Sequence, residues 1–150
     1  MNENKANPIE ILVKKVENED VRDFPKTLLK KFFDDKILDE KEKKILNEQI
    51  FSFPLVFDET IFFKDEDEKI ECIKIFIGFS EKGINLNEND SIKLLFIISF
   101  PSNLKNRYLE LLGYLKRLLS SKSFKQKVFG SKDEIEIQEI FEKELKDLET

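Results

Sequence analysis

The sequence predicts one α/β domain, a three-layer α/β/α sandwich with a mixed central sheet of about five strands. Two apolar segments support this prediction. Residues 72–79 are rich in Ile and Phe, and residues 94–100 are apolar up to Pro101. Runs of this length indicate strands that are apolar on both faces and are covered by helices on both sides. We therefore place these two strands at or near the centre of the sheet.

A long helix is predicted directly after the second of these strands. Beyond Pro101 the apolar residues recur at three- and four-residue steps, which puts them on one helical face about four turns long. They are Leu104, Tyr108, Leu111, Leu112, Leu115 and Leu119. Ser102 is the predicted N-cap of this helix, and the leucine stripe is its predicted core face.

The residues before position 72 are predicted to form a strand, two helices and a pair of short strands. Residues 9–16 are strand-like. Asp23 and Asp39 each precede a helical pattern, and each is predicted to cap that helix. Residues 51–63 predict two short strands around an acidic turn. The charged segment KDEDEK, residues 64–69, is expected to be a solvated loop.

Two more helices are predicted at the carboxyl end. Ser123 is expected to cap a short helix that Gly130 ends, and Ser131 with Glu134 has the spacing of a capping box for the last helix. The inward residues of that last helix are predicted to be Ile137, Ile140, Phe141, Leu145 and Leu148. Helices thus precede and follow the strands, so both faces of the sheet can be covered.

Length and charge restrict the class of protein. The 150 residues are enough for one domain, which we assign to residues 9–150 behind a disordered tail at residues 1–8. There are 31 acidic and 26 basic residues, giving a net charge of −5 and no long basic run, which argues against nucleic acid or an anionic membrane as the main partner. No run approaches the roughly 18 apolar residues of a membrane span, so we expect a cytoplasmic protein without membrane insertion.

The sequence contains little that could hold a metal or cofactor. Cys72 is the single cysteine, so it cannot form an internal disulfide, and its place in a strand-like run predicts a core residue. The chain has no histidine, no Gly-rich phosphate loop and no metal-type spacing of Cys and His. We therefore expect neither a metal nor a cofactor.

Two segments of the second half resemble a known family. They are EKGINLNENDSIKLLFIISFP and YLELLGYLKRLLSSKSFKQKVFGSKDEIEIQEIF. Both are similar to the type-2 enzyme IIA domain of the bacterial sugar phosphotransferase system, the fructose/mannitol class that includes a nitrogen-regulatory branch. The resemblance spans roughly residues 9–148 and is most specific from Gly83 onward. It implies the three-layer fold predicted above.

The resemblance also implies a phosphoacceptor site that this chain does not complete. Such domains accept a phosphoryl group on a histidine in a motif close to G-I-A-L-P-H, at a strand end, and pass it to a sugar-permease partner. When this chain is aligned with that motif by counting back from Gly83 without gaps, Phe63 takes the position of the proline and Lys64 that of the phosphoacceptor histidine. A second histidine that family members often carry aligns with Tyr108. An ammonium has no lone pair to attack phosphorus, so Lys64 is not a useful nucleophile.

These substitutions predict a domain that has lost phosphotransfer. We expect no catalytic residue and a regulatory or protein-interaction role, with a component of the phosphotransferase system or a regulator or kinase as partner. The predicted contact residues are Phe62, Phe63, Lys64, Asp65, Arg107 and Tyr108. One alternative is a phosphocarrier or other enzyme with a different nucleophile, for example an acyl phosphate on Asp65 if the alignment shifts by one residue. Another is an unrelated α/β binding module.

Overall fold

The computed structural model describes residues 8–15, 55–57, 59–85, 91–131 and 133–146, with the backbone alone at 55–57 and 84–85. Its elements are β1 (Ile9–Lys15), β2 (Leu55–Phe57), β3 (Thr60–Glu66), β4 (Ile73–Asn85), β5 (Ser91–Phe100), a 3₁₀ turn (Ser102–Leu104), α1 (Lys105–Ser120), α2 (Lys122–Phe129) and α3 (Glu134–Leu145). The predicted tail, the two helices predicted to begin at Asp23 and Asp39, and Leu148 lie outside the described residues.

Within the described residues, five strands form one mixed sheet in the order β1-β4-β5-β3-β2. β1 runs parallel to β4, and β3 runs parallel to β5, whereas the β4–β5 and β2–β3 pairs are antiparallel. β5 is therefore the middle strand and β4 its neighbour. The prediction that the two most apolar segments lie at the centre of the sheet is confirmed.

One face of the sheet packs against α1, α2 and α3 to form the main hydrophobic core. Phe96 of β5 lies at its centre and is 0% exposed. Its ring stacks on Phe62 of β3 with the ring centroids 4.9 Å apart, and meets Phe141 of α3 edge-on at 5.6 Å. The predicted inward faces of the helices are confirmed, since Leu111, Leu115 and Phe141 are all buried.

The opposite face of the sheet is buried as well. The side chains on this face belong to the alternate residues of each strand and include Ile61, Phe76, Leu95 and Ile97, each at most 6% exposed. Because side chains alternate between the two faces of a strand, β3, β4 and β5 are buried on both faces. Burial on both faces is what a three-layer α/β domain requires.

The charged segment at residues 64–69 is only partly a loop, so that prediction was wrong. β3 continues through Lys64 and Asp65 to Glu66, in parallel register with β5. The amide of Asp67 still donates to the carbonyl of Phe100 at 2.8 Å. Because β5 offers backbone partners as far as Phe100, strand pairing outweighs the low strand propensity of the charged residues.

The predicted helix caps were close but wrong in position. Ser102 lies inside the 3₁₀ turn, and Ser123 lies inside α2. The side chain of Ser121 accepts from the amide of Phe124 instead, at 3.4 Å. α3 is capped by Asp133, whose carboxylate accepts from the amide of Ile135 at 3.0 Å, and not by Ser131.

Cys72 was predicted to be a core residue, and this too is wrong. It immediately precedes β4 and is half-buried at the end of the sheet. Its Sγ lies 3.7 Å from Oε1 of Glu10 on β1. Burial, followed by the nearby Glu10 carboxylate, raises the pKa of the Cys72 thiol, since both disfavour the thiolate.

We predict that Phe96→Ala lowers the free energy of unfolding by about 3–5 kcal/mol, because it removes a fully buried ring between two others. Urea denaturation of the variant and the parent protein measures this difference. Leu109→Ala, at a residue that is 51% exposed, is the control and should change stability by less than about 0.5 kcal/mol. A loss below about 1 kcal/mol for Phe96→Ala would contradict the packing described here.

Candidate functional site

The predicted site residues converge on one end of the sheet, where β3 and β5 finish and α1 begins. Asp65 is paired with Ser99, and Glu66 with Phe100, at the ends of the two parallel strands. The ring of Phe100 stacks on that of Tyr108 in α1, with the centroids 4.2 Å apart and the planes 10° from parallel. The position aligned with the phosphoacceptor and the position aligned with the second histidine therefore flank the same strand end.

Strand alternation divides the predicted contact residues between two faces. Phe62 and Lys64 lie on the face that packs against α1, whereas Phe63 and Asp65 lie on the opposite face. Burial divides them further. Phe62, Phe63 and Tyr108 are 4%, 3% and 7% exposed, and Asp65 is 0% exposed.

Lys64 and Arg107 are thus the predicted contact residues with partly exposed side chains. Nη1 of Arg107 lies 3.7 Å from Oε1 of Glu110, one helical turn further along α1. Such a pair on a helix surface contributes only a few tenths of a kcal/mol, about 0.2–0.5. A role of these residues in partner binding stays a prediction.

Asp65 is an acidic residue built into the sheet. Its Oδ2 accepts a hydrogen bond from the hydroxyl of Ser99 on the adjacent strand, at 2.5 Å, and the contact is buried. A buried carboxylate requires such donors, because leaving water is costly for a charge. Sequence reasoning missed this contact, since it joins residues 34 positions apart and depends on the β3–β5 register.

The carboxylate of Glu68 lies at the start of the helical segment that leads into α1. The amide of Ser102, the first residue of the 3₁₀ turn, donates to its two carboxylate oxygens at 3.1 and 3.2 Å. Free amides at a helix N-terminus attract anions. Here a carboxylate of the chain itself takes that position. The signal available in the sequence was the acidic segment, but its distant partner could not be read from spacing.

The residues at this strand end are predominantly acidic. Asp65, Glu66, Asp67 and Glu68 follow one another, and Lys64 precedes them. Among the described residues, no group of His, Cys, Asp and Glu is arranged to hold a metal ion. Nor, in the same part of the chain, is any helix both long and apolar enough to cross a membrane.

Residues 3–144 match the family model of the phosphoenolpyruvate-dependent sugar phosphotransferase system, EIIA 2. The match covers nearly the whole chain, and the chain belongs to this family. The resemblance read from the sequence is confirmed, and the alternative of an unrelated α/β module is wrong.

A solved structure shows the same fold. The nitrogen regulatory protein IIA-Ntr from Neisseria meningitidis superposes with a TM-score of 0.61 at 15% sequence identity, covering 88% of this chain and 91% of that one. Comparison with curated protein sequences gives no match. The similarity extends over most of both chains, so the strand end described above belongs to a fold that the two proteins share.

We predict that Ser99→Ala lowers the free energy of unfolding by about 1.5–3 kcal/mol, because the buried Asp65 carboxylate loses a hydroxyl donor. Chemical denaturation measures the change. Ser120→Ala is the matched control, since the exposed Ser120 hydroxyl bonds only to a backbone carbonyl of its own helix. Equal stabilities of the two variants would show that the Asp65–Ser99 contact contributes nothing.

Proposed function

We propose that this chain is an EIIA type-2 domain that has lost the phosphoacceptor histidine and acts as a regulatory, protein-interaction module. Its setting would be the cytoplasm of a bacterium, within the phosphotransferase system or a related signalling pathway such as nitrogen regulation. One observation carries the proposal: none of the 150 residues is a histidine. A phosphocarrier of this family needs an imidazole, whose nitrogen is nucleophilic near neutral pH.

The nucleophiles available to a non-histidine phosphocarrier are poor. Lys64 would attack only after losing its proton. Asp65 is 0% exposed and already accepts a hydrogen bond from Ser99. The Cys72 thiol has a raised pKa, so less of it is thiolate at neutral pH. These properties disfavour the alternative of phosphotransfer by another residue.

The electrostatics at the strand end also disfavour a phosphoryl group. The amide of Ser102, at the helix start, is already bonded to the carboxylate of Glu68. Charges of like sign 4–6 Å apart repel by about 1–4 kcal/mol each when partly screened by solvent. A phosphate approaching Lys64 would have to displace one carboxylate and withstand others.

The same surface suits a protein partner. Lys64 and Arg107 supply partly exposed cations beside an acidic strand end. Mixed charge of this kind is typical of the polar rim of a protein interface. A component of the phosphotransferase system, or a regulator or kinase, is the partner that we propose, in control of sugar transport or of nitrogen use.

We predict that the protein takes up no phosphate from phosphoenolpyruvate, enzyme I and the phosphocarrier HPr. Intact-mass measurement at neutral and alkaline pH detects labile and stable adducts. HPr in the same reaction is the internal control and should gain one phosphoryl group. An equivalent gain on this chain would overturn the proposal, and peptide mapping would identify the residue responsible.

We further predict that Lys64→His alone does not create a phosphocarrier. An introduced imidazole must be held in line with the donor, among groups that stabilise the transferring charge. In this chain Phe63 is buried where the family has a proline, Tyr108 is buried against Phe100, and the neighbouring carboxylates remain.

Phosphate uptake from phospho-HPr is compared for Lys64→His and for a variant that adds Phe63→Pro, Tyr108→His and Glu66→Gln. Circular dichroism verifies that both are folded. Rapid phosphorylation of Lys64→His would mean that the geometry of a transfer site is intact, and the proposal would then lose its main support.

A further inference from the structure

A pocket of about 350 Å³ lies between the carboxyl-terminal half of α1, the start of α2 and the end of α3. Its apolar lining residues are buried or partly buried and form its floor: Tyr114, Leu118 and Phe124. Its other lining residues are polar: Arg117, Ser121, Ser123, Lys127 and Glu144. An apolar floor with a few polar groups around it is typical of a binding site.

The pocket is separate from the strand-end site. Arg117 follows Arg107 by ten residues on α1, which corresponds to about 15 Å along the helix axis. A ligand in the pocket therefore leaves the strand end open, and substitutions affect the two surfaces independently.

Arg117 is held in position at one side of the pocket. Its guanidinium lies over the ring of Tyr114, 5.6 Å from the ring centroid, and Nη1 lies 3.9 Å from the place that a Cβ atom would take at Gly113. The hydroxyl of Tyr114 donates to the backbone carbonyl of Glu144 at 3.1 Å, which fixes the ring against α3. The ring contact leaves N–H groups of the guanidinium free, and arginine binds a carboxylate through two such groups.

The surface around the pocket is basic, although the protein as a whole is acidic. Residues 111–131 contain five cations and no carboxylate, whereas the net charge of the chain is −5. No carboxylate of the described residues forms an ion pair with Arg117 or Lys127. The acidic residue in the lining is Glu144, so the cations outnumber it. The pocket therefore attracts ligands that carry negative charge.

A neighbouring groove restricts the direction in which such a ligand can extend. Lys127 also borders the groove along α3, which has the carboxylates of Asp133, Glu136 and Glu139 in its lining together with Lys143. An acidic ligand would meet like charge there. It is therefore expected to extend from the pocket along α1 and α2.

An acidic segment of a protein fits this pocket better than a small anion does. Arg117, Lys127 and the two serines are exposed, so a small anion bound to them would remain in contact with water, where an ion pair contributes little. A protein segment covers these residues, and an apolar side chain that reaches Leu118 and Phe124 adds the burial of apolar area. We propose that the pocket binds an acidic segment of a partner protein, in which an apolar or aromatic side chain enters between carboxylates that pair with Arg117 and Lys127.

The test uses the full chain and a short fluorescein-labelled peptide in which one phenylalanine is flanked by glutamates on both sides. Fluorescence anisotropy measures the affinity, and ¹H–¹⁵N NMR spectra recorded with unlabelled peptide locate the site. We expect saturable binding in the micromolar to millimolar range, with the largest shifts at the amides of residues 114–127. Peptides with lysine in place of glutamate, or with alanine in place of phenylalanine, should bind more weakly.

Charge reversal at the pocket should weaken peptide binding. Arg117→Glu and Lys127→Glu each place a carboxylate opposite those of the peptide and should lower the affinity about tenfold or more. Arg117→Lys keeps the charge but loses the paired N–H groups, so it should have a smaller effect. Lys105→Glu is the matched control, since Lys105 is an exposed residue of α1 outside the pocket. It lies about 18 Å from Arg117 along the helix, beyond the screening length of about 8 Å.

The inference is overturned if no peptide binds at millimolar concentration, if Arg117→Glu binds like Lys105→Glu, or if the shifts lie outside residues 114–127. Tighter binding of inorganic phosphate would make this a small-anion site, and tighter binding of an oligothymidine would make it a nucleic-acid site; either result also overturns it. Circular dichroism verifies that every variant is folded. The phosphate-uptake assay does not depend on these results.

Discussion

The parallel pairing of β3 with β5 positions the β3 residues of the candidate site, Phe62 to Asp65. It matches Phe62 with Phe96 and ends with Glu66 opposite Phe100. The stacked rings of Phe62 and Phe96, 4.9 Å apart, lie inside the core and hold this register. A shift by one residue would exchange the two faces of β3 and place Asp65 on the face that packs against the helices. Strand pairing thus decides which charges are buried and which reach the surface.

The acidic end of β3 is a structural feature and not merely a solvated segment. Asp65 is buried and bonded to Ser99, and Glu68 bonds the amide of Ser102. Both contacts tie residues of the acidic segment to the end of β5 or the start of the helix beyond it. The chain belongs to the EIIA type-2 family of the phosphotransferase system, and the end of β3 carries carboxylates, whereas phosphoryl groups are normally bound by cations or free amides. This contrast underlies our proposal that the domain binds a partner without carrying phosphate.

The sequence alone determined the elements and the family. Apolar runs and helical periodicity place strands, helices and their inward faces, because burial imposes a regular local pattern. The absence of histidine is likewise a property of the sequence. Tertiary structure decided the rest. The extension of β3 through Asp65, the burial of Tyr108 against Phe100 and the half-exposed position of Cys72 all depend on contacts between residues distant in the chain. Local patterns cannot show which strand will supply the neighbouring backbone groups and donors, and those neighbours determine whether a charged residue lies in a loop or inside a sheet.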